Sequence, residues 1–155
     1  MDKENQLKLS IRDLYKKIAW INKKMEKSLA GYTSSEVHCI EYIERTADPN
    51  VTKLAEFFYM TRGAISKMTK KLIKKGVIES YQKLENKKEV YFRLTEKGKE
   101  VYRIHEALHQ EFEERDKKVF EQMTEEQYEA ISYFVEMYSS HLDEEIKKQG
   151  KSIKE

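Results

Sequence analysis

Leu7, Ile11, Leu14, Ile18, Ile21 and Met25 recur at spacings of four and three residues, which predicts a long first helix with one narrow apolar seam. A helix this long with so thin a stripe suits packing against a second subunit. Gly31 follows as a stop, and Thr33-Ser34-Ser35-Glu36 offers capping chemistry for a second helix that runs to about Arg45 with Val37, Ile40 and Ile43 inward. Asp48-Pro49-Asn50 reads as a turn, with Asn50 capping a short third helix through Leu54, Ala55 and Phe58.

A tight turn at Phe58-Tyr59-Met60 leads to Thr61, the cap of a fourth helix reaching Lys75 with Ile65, Met68 and Leu72 on its inner face. Gly76 sits where a left-handed helix terminus belongs. Val77 to Tyr81 and Glu89 to Leu94 read as paired strands, with Lys83 to Lys88 as the polar turn between them. Thr95-Glu96-Lys97-Gly98 opens a fifth helix, and Met123-Thr124-Glu125-Glu126 opens a sixth carrying Ile131, Val135, Tyr138, Leu142 and Ile146. The expected fold is mainly α with a small β wing: a winged helix-turn-helix flanked by long N- and C-terminal dimerisation helices. The division is 1–31 and 99–150 for dimerisation and 32–98 for the winged region.

Composition adds little until charge is mapped. The 155 residues carry a net charge of only +2. From Thr61 to Arg93, however, ten Lys/Arg face three Glu, leaving 20 basic and 25 acidic residues elsewhere. A local excess of cations on an otherwise acidic chain suits a polyanion-binding face. No apolar run is long enough to span a membrane. A charged N-terminus without a signal-peptide core and a single Cys39, read as a buried structural thiol, fit a cytoplasmic protein.

The fourth helix concentrates that charge. Arg62, Lys67, Lys70, Lys71, Lys74 and Lys75 lie between Thr61 and Lys75 without one acid, so their mutual repulsion is relieved by a phosphate backbone. Its first turn is small or polar, with Thr61, Gly63, Ala64 and Ser66, which lets a helix N-terminus approach base edges and phosphates. Two helices joined by a tight turn, the second basic, match helix-turn-helix geometry. Candidate DNA contacts are Thr61, Arg62, Gly63, Ser66, Lys67, Lys70 and Lys71 on the helix, with Lys83, Asn86, Lys87 and Lys88 at the wing. The wing would supply affinity and register more than sequence readout.

Residues 34 to 98 resemble a MarR-family regulator, through Asn50-Val51-Thr52-Lys53-Leu54-Ala55, Met60-Thr61-Arg62-Gly63-Ala64-Ile65-Ser66-Lys67, Leu72 to Gly76, and a wing closing on Leu94-Thr95-Glu96-Lys97-Gly98. The helix order outside this stretch is similar too. The resemblance implies a ligand-responsive repressor: a homodimer whose first and last helices interlock and whose recognition helices enter successive major grooves of a pseudo-palindromic operator. Such wings usually carry an Asp followed by paired Arg. Here Asn86-Lys87-Lys88 stands in that place, so Asp–Arg stiffening is not expected and the lysines act as point charges.

His105 and His109, four apart on the fifth helix, share one face, and His38 stands on the second helix. That spacing suits two imidazoles on one metal, and equally suits histidines that hold interhelical hydrogen bonds. The resemblance implies two effector classes. Members that regulate zinc uptake ligate metal through a similar pattern, with Glu26 the candidate carboxylate. Regulators of fatty-acid synthesis with a similar pattern answer to acyl-loaded carrier protein. A small molecule, a metal such as zinc, and an acyl-carrier-type partner therefore stay open.

No nucleophile motif, phosphate-cradling glycine loop or carboxylate pair marks an enzyme. The competing reading is a helical protein-interaction or RNA-binding module without operator specificity. Lysine-rich faces are unusual at the centres of protein interfaces, which favours double-stranded DNA as the partner.

Overall fold

The computed structural model describes residues 2–25 and 29–154. Six helices and one hairpin follow in the expected order: α1 Lys3–Met25, α2 Ser34–Arg45, α3 Val51–Phe58, α4 Arg62–Lys74, β1 Ile78–Lys83, β2 Asn86–Leu94, α5 Glu96–Glu121 and α6 Glu125–Lys154.

Local cap chemistry sets most boundaries. Thr33 accepts the Glu36 N–H while the Glu36 side chain accepts the Thr33 N–H, a complete capping box for α2. The side chains of Asn50, Thr61 and Thr95 accept from Lys53, Ala64 and Gly98 and start α3, α4 and α5. At α6 the reciprocal bonds run between Thr124 and Gln127. The connection after α4 turns through Gly76 at φ +76°, a conformation that costs glycine little because it has no Cβ.

The core lies under the winged region. Ile40, Leu54, Ile65, Leu72, Val77 and Ile78 are fully buried, together with Cys39, and bind α2, α3, α4 and the root of the hairpin into one unit. Burial pushes the Cys39 thiol up to about 12, in keeping with a structural cysteine. The hairpin is antiparallel, pairing Ile78 with Leu94 and Tyr81 with Tyr91.

Its turn is shorter than the sequence suggested. The strands run to Lys83 and resume at Asn86, leaving Leu84 and Glu85 as the apex. The side chains from Leu84 to Val90 are all exposed, so the distal ribbon has no buried face and shows no apolar alternation to mark it as strand. Lys87 and Lys88 accordingly stand on β2 and not in the turn.

The long helices behave differently. Leu7, Leu14, Ile18 and Ile21 of α1 and Ile131, Val135, Tyr138 and Leu142 of α6 remain exposed within one chain. No helix among the described residues is long and apolar enough to cross a membrane.

Candidate nucleic-acid interface and histidine cluster

Ile65, Met68, Thr69 and Leu72 bury one side of α4. The opposite side carries Gly63, Lys67, Lys70 and Lys74, flanked by Lys71, all exposed; Arg62 in the first turn is exposed too, and Ser66 is half-buried. Positions 63, 67, 70 and 74 follow helical spacing, so the cations form one stripe running from an N-terminus of small side chains. Lys75 does not join it. Its ammonium turns inward and donates to both oxygens of Glu36, at 3.1 and 2.9 Å, and to the Gly31 carbonyl at 2.8 Å. The basic face is therefore one charge smaller than the sequence suggests.

On the wing, Lys87 and Lys88 are free to face solvent, and Gln82 and Asn86 brace their backbone with bonds of 2.8 and 3.3 Å. Lys83 is engaged elsewhere, with its ammonium 2.5 Å from Asp48 Oδ1. Leu84 at the apex is 91% exposed.

A second constellation forms where α2 packs on α5. His105 Nε2 bonds the Glu41 carboxylate, and His109 Nε2 lies 2.9 Å from His105 Nε2 and 3.6 Å from Glu41 Oε2. His105 is buried, and desolvation, partly opposed by Glu41, lowers its pKa from 6.5. The ring is thus held toward its neutral form, the form that can ligate a cation. His38 presents its ring edge-on to His105 with centroids 5.9 Å apart, so it borders the cluster without joining the convergent atoms. Glu26 lies outside the described residues. The carboxylate that does converge is Glu41, which the sequence reading did not single out, although it follows His38 by three positions and so shares its helix face.

The cluster stands between two cavities. One of about 790 Å³ lies among α1, α2 and α5, lined by Ile18, Val37, His38, His109 and Phe112. The other, about 430 Å³, is lined by His38, Glu41, Tyr42, Arg45, Phe57 and Phe58. Arg45 closes the cluster's outer side, with its guanidinium 2.6 Å from Glu106 and 3.4 Å from Glu41.

Residues 32–90, the stretch that builds α2, the helix-turn-helix and most of the wing, match the MarR family. That stretch is a MarR-family domain. Two Bacillus subtilis (strain 168) proteins are similar to it. The HTH-type transcriptional regulator PchR is 33% identical over 72% of this chain and 66% of its own length. The uncharacterized HTH-type transcriptional regulator YhjH is 37% identical over 64% of this chain and 57% of its own. The chain thus spans less than two thirds of either relative. Streptococcus pneumoniae FabT, crystallised in complex with DNA, shares the fold with a TM-score of 0.77 at 19% identity, covering 92% of this chain and 99% of that one. In this fold α4 packs against β1 of the wing, and the histidine cluster lies at the α2–α5 contact.

Proposed function

We propose that this chain is a sequence-specific, double-stranded-DNA-binding transcriptional regulator that acts as a homodimer on a pseudo-palindromic operator. The observation that carries the reading is the exposed, acid-free surface between Arg62 and Lys74 on a helix whose other side is buried in the core. Such a helix has the shape and charge to enter a major groove, its cations on phosphates and its small first turn at base edges. Thr61, Arg62, Gly63, Ser66, Lys67, Lys70 and Lys71 form that contact, and Asn86, Lys87 and Lys88 add the wing. The names of the two relatives accord with a regulatory role and not an enzymatic one.

The unpartnered seams of α1 and α6 support dimerisation. Each is a heptad-like apolar row left facing solvent in a single chain, and residues 1–31 and 99–150 are its natural place. A dimer would present two copies of α4 to half-sites about 34 Å apart.

An effector acting at the α2–α5 junction fits the same frame, and a zinc ion suits the residues there. Glu41, His105 and His109 bring ligand atoms within 4.8 Å of one another. Ligands on tetrahedral zinc lie roughly 3.3 Å apart, between the 2.9 and 3.6 Å separations of His109 Nε2 from its two neighbours, while His105 and Glu41, bonded directly to each other, would have to part to admit the ion. The ion would supply charge that draws α2 and α5 together.

Selection of bound sites from a random duplex library, with and without zinc, tests the whole reading. Enrichment of a palindrome-like site is expected. Failure to retain any duplex at low salt in both conditions overturns it and returns the protein-interaction or RNA-binding alternative.

A further inference from the structure

Lys83 was expected among the DNA contacts, yet its ammonium is committed to Asp48 at 2.5 Å and lies 5.1 Å over the Tyr91 ring. Asp48 belongs to the loop between α2 and α3, and it is built for this position. It holds φ +50°, a left-handed conformation that Asp and Asn tolerate better than other side-chain-bearing residues. Its carbonyl and that of Ala47 both accept from Lys53, each at 3.0 Å.

The same loop grips the hairpin at two further points. Pro49 accepts the Phe92 N–H at 3.0 Å, near the wing root. Asn50, while capping α3 through its oxygen, donates its amide to Glu89 at 3.3 Å. Lys83 is the last residue of β1, one step before the apex. The three contacts therefore run along nearly the whole wing.

We propose that residues 46–50 clamp the wing to the helix-turn-helix, with Asp48 and Lys83 as the distal positioning pair. Lys83 then acts on DNA through the orientation of Lys87 and Lys88, not as a phosphate contact of its own. This rests on the DNA-binding reading above. The distal part of the ribbon, exposed from Leu84 to Val90, has little packing to fix its angle, and a tether near its tip supplies what packing does not. Holding the wing in its bound orientation lowers the ordering cost of association.

Charge and geometry predict opposite signs for one substitution. Removing a carboxylate near a polyanion lowers repulsion and releases Lys83, so electrostatics alone predicts that Asp48→Asn tightens DNA binding. The clamp predicts that it weakens binding. Asn keeps the left-handed backbone accessible, so the fold is retained.

The test uses the full chain, the duplex recovered by selection with the wild-type protein, and two independent readouts. In free protein, amide hydrogen exchange across residues 82–90 should quicken roughly tenfold in Asp48→Asn and in Lys83→Met, as local opening becomes easier, and stay near wild type in Lys83→Arg. Duplex affinity should fall roughly three- to tenfold in the first two variants, with the salt slope unchanged. Combining Asp48→Asn with Lys83→Met should cost no more than the worse single change, because both break one contact. The proposal is overturned if Asp48→Asn tightens binding, or if Lys83→Met lowers the salt slope by about one while exchange is unaltered. If the wild-type chain selects no duplex, the DNA-binding reading fails on that result, and the exchange comparison still decides the clamp.

Discussion

The Lys75 ammonium and the Glu36 carboxylate meet at 2.9 Å, joining the end of the recognition helix to the start of α2. Lys75 also lies 5.0 Å over the Tyr32 ring, and Glu36 is only 5% exposed. Replacing Lys75 by Met leaves a nearly buried carboxylate with only its Thr33 bond. The expected loss is about 1–3 kcal/mol in denaturant unfolding, the cost of stripping a charged partner from a buried acid. Because Lys75 points inward, the salt slope of duplex binding should not change. A slope reduced by about one would instead place Lys75 on a phosphate.

The same carboxylate makes stability depend on acid. Burial alone raises the Glu36 pKa, but the bonds from Lys75 and Thr33 outweigh it and hold it below 4.5. A depressed folded-state value means the unfolded chain takes up the proton first. The contribution of Glu36 is therefore fully present above about pH 4.5 and is lost as pH falls through the lower folded value. Urea midpoints between pH 6 and 3 should decline less steeply in Glu36→Gln than in wild type. Parallel acid limbs would show that other carboxylates set the profile.

What the sequence discloses and what it hides divides along contact range. Thr33, Asn50, Thr61, Gly76 and Thr95 were readable as helix boundaries because a cap is made within about four residues of itself. His105 and His109 were readable as a pair because helical spacing alone aligns them. Glu41 was not, since its partner His105 lies 64 positions away, and only the packing of α2 on α5 joins them. Lys75 looked like part of the basic stripe because charge counting ignores direction; one residue past the last turn, its side chain swings back to Glu36. The ion pair of Lys83 was hidden for a similar reason, since a lysine beside a polar turn carries no mark of a distant Asp48.

Gly98 is needed for space and not for backbone freedom. A Cβ there would lie 1.9 Å from the Val77 carbonyl oxygen, where Thr95 N–H also bonds Val77 and the Thr95 hydroxyl bonds the Gly76 carbonyl at 2.6 Å. Gly98→Ala must push α5 away from the wing root, at a cost of about 2–4 kcal/mol. Thermal unfolding of the purified variant checks this; a melting temperature unchanged from wild type would refute the close approach.

Binding through α4 predicts a clean separation of function from fold. Ser66→Glu, or Lys70→Glu with Lys71→Glu, should abolish binding to the selected duplex while circular dichroism and the dimer mass by light scattering stay those of wild type. Lys87→Ala with Lys88→Ala should weaken all sequences nearly evenly and lower the salt slope by about two, since phosphate contacts carry no base information. Loss of the dimer in either set would mean that the DNA and subunit surfaces are misassigned.

Zinc at Glu41, His105 and His109 makes a reciprocal prediction. His105→Ala with His109→Ala should eliminate stoichiometric binding in a calorimetric titration, and Glu41→Gln should weaken it, because each removes a convergent donor. Zinc can shift operator occupancy only by binding the DNA-competent and incompetent dimers unequally. Whatever factor zinc imposes on duplex affinity must then reappear as the factor that duplex imposes on zinc affinity. Equal zinc affinity in the presence and absence of saturating duplex, alongside zinc-dependent occupancy, would break that equality and locate the effect at another site. Equal factors in both directions, abolished together by the paired histidine substitution, would assign the sensing role to the α2–α5 junction.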